Sequence, residues 1–154
     1  MRHGESSGNV ARDAAEATGS PTIDLDGRDV DVPLSPLGER QARALGRWFA
    51  AKPEAERPTA ILVSPYVRAM QTAALVAGSS GLSDGSRAIA NVIDERLREK
   101  EFGSLNRLTR AGIIARFPEQ ADLYTKIGKF YYRPPGGESW CDVILRVRSV
   151  LDRI

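Results

Sequence analysis

The sequence predicts an α/β fold with a mainly parallel sheet, and three observations carry that expectation. Short, continuous apolar runs stand at Ala60-Ile61-Leu62-Val63 and from Ile89 to Ile93. Segments whose apolar residues recur at helical spacing flank them. Serine, proline and glycine mark the boundaries, so strands alternate with helices along the chain.

Taken in order, Val10 to Val32 is polar and irregular, with Gly19-Ser20-Pro21 and the acidic residues Asp24, Asp26, Asp29 and Asp31 interrupted by Arg28. It reads as a long surface loop whose charges face water, placed where it could act as a lid. Ser35-Pro36 starts a helix with a hydroxyl cap and proline at its first position. Leu37, Gln41, Ala44, Leu45, Trp48 and Phe49 follow helical spacing until Lys52-Pro53. Ala60 to Val63 is expected to be a strand buried on both faces, ended by Ser64-Pro65. Arg68 to Ala77 reads as a helix, with Met70, Ala73, Ala74 and Ala77 on one face and Gly78-Ser79-Ser80-Gly81 opening a loop. Ile89 to Ile93 is the second strand. Thr109 to Phe117 and Glu119 to Ile127 read as helices separated by Pro118. Phe130 to Glu138 carries two prolines and two glycines and is expected to be a rigid loop. Ser139 caps a last helix, with Asp142 in a capping-box position and a core-packing stripe of Trp140, Val143, Ile144, Val147, Val150, Leu151 and Ile154.

At 154 residues and 42% hydrophobic content, the chain suits one domain over residues 1–154. A net charge of +2 without a long block of like charge excludes a nucleic-acid arm and a basic membrane patch. Any anionic partner is then small and locally bound. Cys141 is the only cysteine, so no internal disulfide forms, and there is no signal peptide or apolar run long enough to span a membrane. A cytoplasmic protein is expected, with Cys141 a small packing residue. The sequence specifies no oligomeric state.

The chemistry concentrates around His3, the only histidine, in Arg2-His3-Gly4-Glu5. Neutral imidazole is a nucleophile near neutral pH, a guanidinium holds two phosphate oxygens at once, and glycine lets a ligand approach the backbone. Alone, the motif also reads as an N-terminal tail with an incidental histidine. Arg68 follows the first strand, where α/β sheets gather ligand-binding groups and helix N-termini attract anions. It reads as a phosphate clamp, or as a surface arginine on a first helical turn. Leu97-Arg98-Glu99-Lys100-Glu101-Phe102-Gly103 follows the second strand, and a carboxyl group there could protonate a leaving oxygen. The alternative is a solvated face of mixed charge.

Together these segments resemble the histidine phosphatase superfamily, which includes cofactor-dependent phosphoglycerate mutases, acid-phosphatase relatives and fructose-2,6-bisphosphatases. Arg2-His3-Gly4-Glu5 with Asn9 is similar to its opening signature. Leu34 to Ala42 resembles its first-helix pattern, Ser64 to Ala73 its second-arginine segment, Leu97, Glu99 and Gly103 its acid-bearing loop, and Gly136-Gly137-Glu138-Ser139 its Gly-Glu-Ser turn. The resemblance covers nearly the whole chain and implies a three-layer α/β/α fold of the phosphoglycerate mutase type. It further implies that His3 becomes a phosphohistidine, that Arg2 and Arg68 hold the phosphoryl oxygens, that Asn9 is a further donor, and that Glu99 protonates the leaving alkoxide. No cofactor and no metal are implied, and the substrate is a small phosphorylated metabolite. Arg133, in a segment similar to the fructose-2,6-bisphosphatase branch, is a candidate contact for a second anionic group, or equally a surface arginine.

Three departures qualify the resemblance. The family's second histidine is missing, only Met1 precedes Arg2 where the family has an apolar strand, and Asn106-Arg107 replaces a small residue. An incomplete fold lacking its first and last core strands is therefore expected, with weak or absent activity. The leading reading is a metal-independent phosphomonoesterase or a segment of one. A phosphoglycerate mutase-type phosphotransferase is the alternative, although Ser6-Ser7-Gly8-Asn9 lacks the tryptophan that mutases place before the asparagine. A non-catalytic phosphate-binding or regulatory relative is the third reading.

Overall fold

In the computed structural model, which describes residues 1–81 and 90–153, the chain divides into two units. The first comprises Met1–Val10 with Gly27–Arg98, and the second Ala11–Asp26 with Glu99–Ile154. Helix α1 (Ser7–Thr18) contributes residues to both. It corrects the expectation of an irregular loop from Val10. Ala11, Ala14, Ala15 and Ala17 are strong helix formers that create no wide apolar stripe, so the segment is helical by propensity while its hydrophobic pattern stays silent.

In the first unit, α2 (Pro36–Ala50) begins as expected, with Ser35 Oγ accepting from the Gly38 amide at 3.1 Å. Its packing face is not the one its larger side chains suggest. Gly38, Ala42 and Gly46 are buried, whereas Leu37 is 41% and Trp48 53% exposed. The neighbour is α3 (Val67–Ser79), and a Cβ on Gly46 would lie 2.6 Å from the Val76 carbonyl oxygen and 2.7 Å from Ser79 Cβ. The helices meet at backbone distance. Small residues permit that approach, Leu45 and Phe49 are half-buried beside them, and Leu37 and Trp48 remain outside. On α3 the buried set is Arg68, Thr72, Ala73, Val76 and Ala77, with Ala74 exposed and Met70 half-buried.

Strands β1 (Ala60–Val63) and β2 (Ala90–Ile93) pair in parallel, from Ala60 opposite Ala90 to Val63 opposite Ile93. The expected α/β arrangement with parallel strands is present. Ile89, read as the start of the second strand, lies outside the described residues. Burial on both faces is not observed. Ile61 and Val63 share the covered face, while Leu62 is 37%, Val92 47% and Ile93 58% exposed. In this two-stranded ribbon α3 lies chiefly against β1, so Ile93 stays exposed although the register puts it on the face of Val63.

In the second unit, Thr22 bridges Leu108, and the Thr109 hydroxyl donates to the Ser20 carbonyl at 2.6 Å while accepting from the Gly112 amide. Thr109 thereby caps α4 (Arg110–Arg116), and α5 (Pro118–Ile127) follows with proline in its first turn. The loop from Phe130 contains no regular element. Ser139 and Asp142 form the expected capping box on α6 (Trp140–Leu151). The stripe of α6 is only partly core. Val150 is buried and Val143 and Val147 are half-buried, but Trp140, Ile144 and Leu151 are 37%, 41% and 62% exposed. The helix is covered along a narrower line than its apolar residues span; Ile154 lies outside the described residues. Among the described residues, no helix is long and apolar enough to cross a membrane.

Lys100 is buried, its ammonium 5.1 Å from the Phe102 ring centroid and 5.6 Å from that of Trp140. Burial above all, with help from Lys129, holds its pKa below the ordinary lysine value against the opposing pull of Glu138 and Asp142. An unfolded chain would keep the ordinary value and so binds the proton more tightly. The resulting loss of stability is full below the folded pKa and disappears as pH rises towards about 10.4. Lys100→Met is therefore expected to raise the thermal midpoint at pH 7, with the advantage over the parent chain shrinking as the ordinary lysine range is reached. The cation–π attraction to the two rings, absent from the methionine variant, offsets part of the gain.

Candidate functional site

The first unit fastens the segment carrying Arg2-His3-Gly4-Glu5 at several points. Ser35 N donates to the Glu5 carbonyl at 2.9 Å and Ser7 N to the Pro33 carbonyl at 3.0 Å, flanking an antiparallel bridge between Ser6 and Leu34. Glu5 N donates to Gln41 Oε1 at 2.8 Å, and the Ser35 hydroxyl donates to Glu5 Oε1 at 2.5 Å. Glu5 is thus part of the junction with α2. At Gly38 the two backbones touch: a Cβ there would collide with the Glu5 carbonyl oxygen, and one on Gly4 with the Gly38 carbonyl oxygen.

His3 is half-buried, and its Nδ1 lies 2.5 Å from the Gly4 carbonyl oxygen. A carbonyl can only accept, so Nδ1 carries the hydrogen. In the neutral ring the lone pair then resides on Nε2. Thr72 links this segment to the helix bearing the second arginine: its hydroxyl accepts from Gly4 N at 3.2 Å and donates to the Arg68 carbonyl at 2.7 Å. Gln71 Oε1 accepts from Leu34 N at 2.8 Å. Arg2 is exposed and makes no hydrogen bond or ion pair among the described residues.

Arg68, only 6% exposed, lies over the Tyr66 ring at 4.6 Å. Its Nη1 donates to the Asp29 carbonyl at 2.7 Å and to Oδ1 at 3.1 Å, while Nη2 donates to Oδ2 at 3.0 Å. This overturns the expectation that the acidic loop carries only solvated charges. Asp29 finds a buried cation far away in sequence, and no local pattern announces such a pairing. Asn9 serves the first turn of α1, its Oδ1 accepting from Ser6 N at 3.0 Å while its own amide donates to Ser6 Oγ at 3.1 Å. The Asn9 side-chain NH2 group makes no hydrogen bond among the described residues.

Glu99 and Arg133 belong to the second unit. Glu99 is exposed, with Oε1 accepting from Lys100 N at 3.0 Å and its carbonyl accepting from Arg146 Nη2 at 3.3 Å. Arg146 also holds both Glu138 oxygens at 3.0 Å, with the two side chains only 11% and 13% exposed. Glu138 Oε2 accepts from Glu101 N at 3.1 Å, and Glu138 N donates to the Glu101 carbonyl at 2.9 Å. The acid-bearing loop is therefore laced to the Gly-Glu-Ser turn. Gly103 takes φ 52° there, and a Cβ on it would come within 2.6 Å of the Gly136 carbonyl carbon. Sequence spacing showed the two segments without showing that they touch. Arg133 pairs with Asp142 at 2.6 Å, and that arginine and the Ser139 bonds hold the carboxyl below the usual range, the Ser139 hydroxyl contributing most.

Comparison with known proteins gives the family. A family model described as histidine phosphatase superfamily (branch 1) matches residues 1–154. The phosphoglycerate mutase-like protein AT74H of Arabidopsis thaliana is 32% identical over 99% of this chain and 50% of its own length. Fructose-2,6-bisphosphatase TIGAR of Xenopus tropicalis is 30% identical over 83% of this chain and 42% of its own. Among solved structures, mycobacterial glucosyl-3-phosphoglycerate phosphatase in complex with VO3 superposes with a TM-score of 0.69 at 30% identity, covering 99% of this chain and 61% of that one. The chain spans about half the length of these curated relatives. With the opening motif, the second-arginine helix and the acid loop all within the matched residues, the chain belongs to the histidine phosphatase superfamily, branch 1.

Proposed function

We propose that this chain carries the catalytic segments of a phosphomonoester hydrolase that works through a phosphohistidine on His3. The observation that carries the reading is the 2.5 Å approach of His3 Nδ1 to the Gly4 carbonyl oxygen: an acceptor there assigns the hydrogen to Nδ1 and leaves Nε2 as the nucleophile. Nε2 attacks phosphorus, the bond from phosphorus to the ester oxygen breaks, and the leaving alkoxide takes a proton from the carboxyl group of Glu99. Water then attacks the phosphorus of the phosphohistidine, Glu99 accepts its proton, and the Nε2–phosphorus bond breaks, returning the lone pair to His3 and releasing inorganic phosphate. Arg2 and Arg68 neutralise the phosphoryl oxygens, with the Asn9 side-chain NH2 as a further donor and Arg133 as a contact for a second anionic group of the substrate. Positioning and fixed positive charge supply most of the rate in such transfers.

The substrate class in this reading is a small phosphorylated metabolite, in keeping with the phosphatase names among the relatives. Brief exposure of the full chain to a labelled phosphoester should leave acid-labile phosphate on His3, and His3→Ala should carry none. Label that persists in His3→Ala would sink the assignment. Turnover of p-nitrophenyl phosphate should survive a chelator, and isomerisation of 3-phosphoglycerate with its bisphosphate would redirect the reading to a mutase. Phosphate binding without label or turnover would redirect it to a non-catalytic relative.

A further inference from the structure

Asp29 meets Arg68 in the geometry that a phosphoryl group would use. Two parallel N–H···O bonds from one guanidinium edge, to Oδ1 at 3.1 Å and Oδ2 at 3.0 Å, match the way arginine grips a pair of phosphate oxygens. The partners differ in freedom. The Arg68 side chain is 7% exposed and backed by the buried Tyr66 ring, so the guanidinium is fixed in place and cannot return to water. The Asp29 side chain is 38% exposed and stands on a single 3-10 turn, Asp29–Asp31, next to the exposed Arg28, which pairs with Asp31. The anion can leave; the cation cannot. An unpaired buried cation is expensive, so some anion must occupy that edge whenever the site is empty.

We propose that Asp29 is an internal competitor for the phosphoryl group, neutralising Arg68 in the empty site and yielding its place when a phosphate arrives. This rests on the reading of Arg68 as a phosphate contact. The competition lowers affinity for weakly charged anions and couples phosphate binding to release of the acidic turn. The coupling is reciprocal, because whatever displaces Asp29 from Arg68 must loosen the turn by the same free energy.

Calorimetric titration of the full chain with inorganic phosphate, alongside Asp29→Asn and Arg68→Gln, tests both levels. Asp29→Asn is expected to bind phosphate roughly tenfold more tightly, equivalent to about 1.4 kcal/mol of competition removed, and Arg68→Gln is expected to lose binding. If Asp29→Asn does not fold, trypsin cleavage after Arg28 of the parent chain supplies the same answer, since phosphate should accelerate that nick. Unchanged or weaker phosphate binding by folded Asp29→Asn, or protection of the Arg28 bond by phosphate, would overturn the competitor role and leave Arg68 as a phosphate contact. Parent-like phosphate binding by Arg68→Gln would overturn the phosphate-site reading and the competitor with it.

Discussion

Arg146→Ala is expected to lower the stability of the chain by about 3–5 kcal/mol, because it leaves the nearly buried Glu138 carboxylate without its cation. The pair is bidentate, both side chains are largely shielded, and Glu138 in addition receives the Glu101 amide. Surface ion pairs contribute about 0–1 kcal/mol; burial and the shared backbone bonds set this one apart. The urea midpoint should fall accordingly. Since native domains are stable by only about 5–15 kcal/mol, this is a large share of the total. The loss should also reach the acid loop. Arg146 holds the Glu99 carbonyl and Glu138 holds the Glu101 amide, so hydrogen exchange at Glu101 should accelerate before global unfolding does. A loss below about 1 kcal/mol would mean that the pair behaves like an exposed one.

Gly38→Ala is expected to lower phosphoester turnover about a hundredfold, by displacing the segment that carries His3. Propensity favours the substitution by about 1 kcal/mol, since Gly38 lies in the first turn of α2. Steric contact opposes it. The new Cβ would meet the Glu5 carbonyl oxygen, with the Glu5 carbonyl carbon and amide nitrogen each at 2.8 Å, and all three are backbone atoms. Backbone cannot rotate aside as a flexible side chain does, so the 2–5 segment must shift. Overpacking of this kind costs about 1–3 kcal/mol, and a displacement near 1 Å at a reacting group costs about 10²-fold. The rate of p-nitrophenyl phosphate turnover measures the effect. Gly78→Ala in α3, with nothing within 4 Å of its Cβ, is the control expected to leave turnover unchanged.

How legible each part was follows from how local its cause is. The caps at Ser35 and Ser139 were readable because a hydroxyl and the amide three residues on settle the matter within one turn. The parallel strands were readable from their apolar runs. Helix α1 was not, because its alanines raise helix propensity without marking a face. The packing face of α2 was misread because Leu37 and Trp48 dominate any hydrophobic pattern, whereas the close approach of α3 selects Gly38, Ala42 and Gly46. The site divides in the same way. Arg2, His3, Asn9, Arg68, Glu99 and Arg133 were named from motif and spacing, while Asp29, Thr72 and Arg146 emerged only when distant segments met.

The sequence by itself determined the capped helices, the parallel strands, the residue types available for phosphoryl chemistry and the family, since each is written in neighbouring residues or in short motifs. Tertiary structure alone decided how the His3 segment is fastened to α3, which anion faces Arg68, and what holds the loop of Glu99. Those outcomes depend on pairings such as Gly4 with Thr72 and Asp29 with Arg68, separated by 68 and 39 positions. Hydrogen bonds and ion pairs act over a few ångströms in space. Their partners are chosen by the packing of backbones, which no local pattern of side chains encodes.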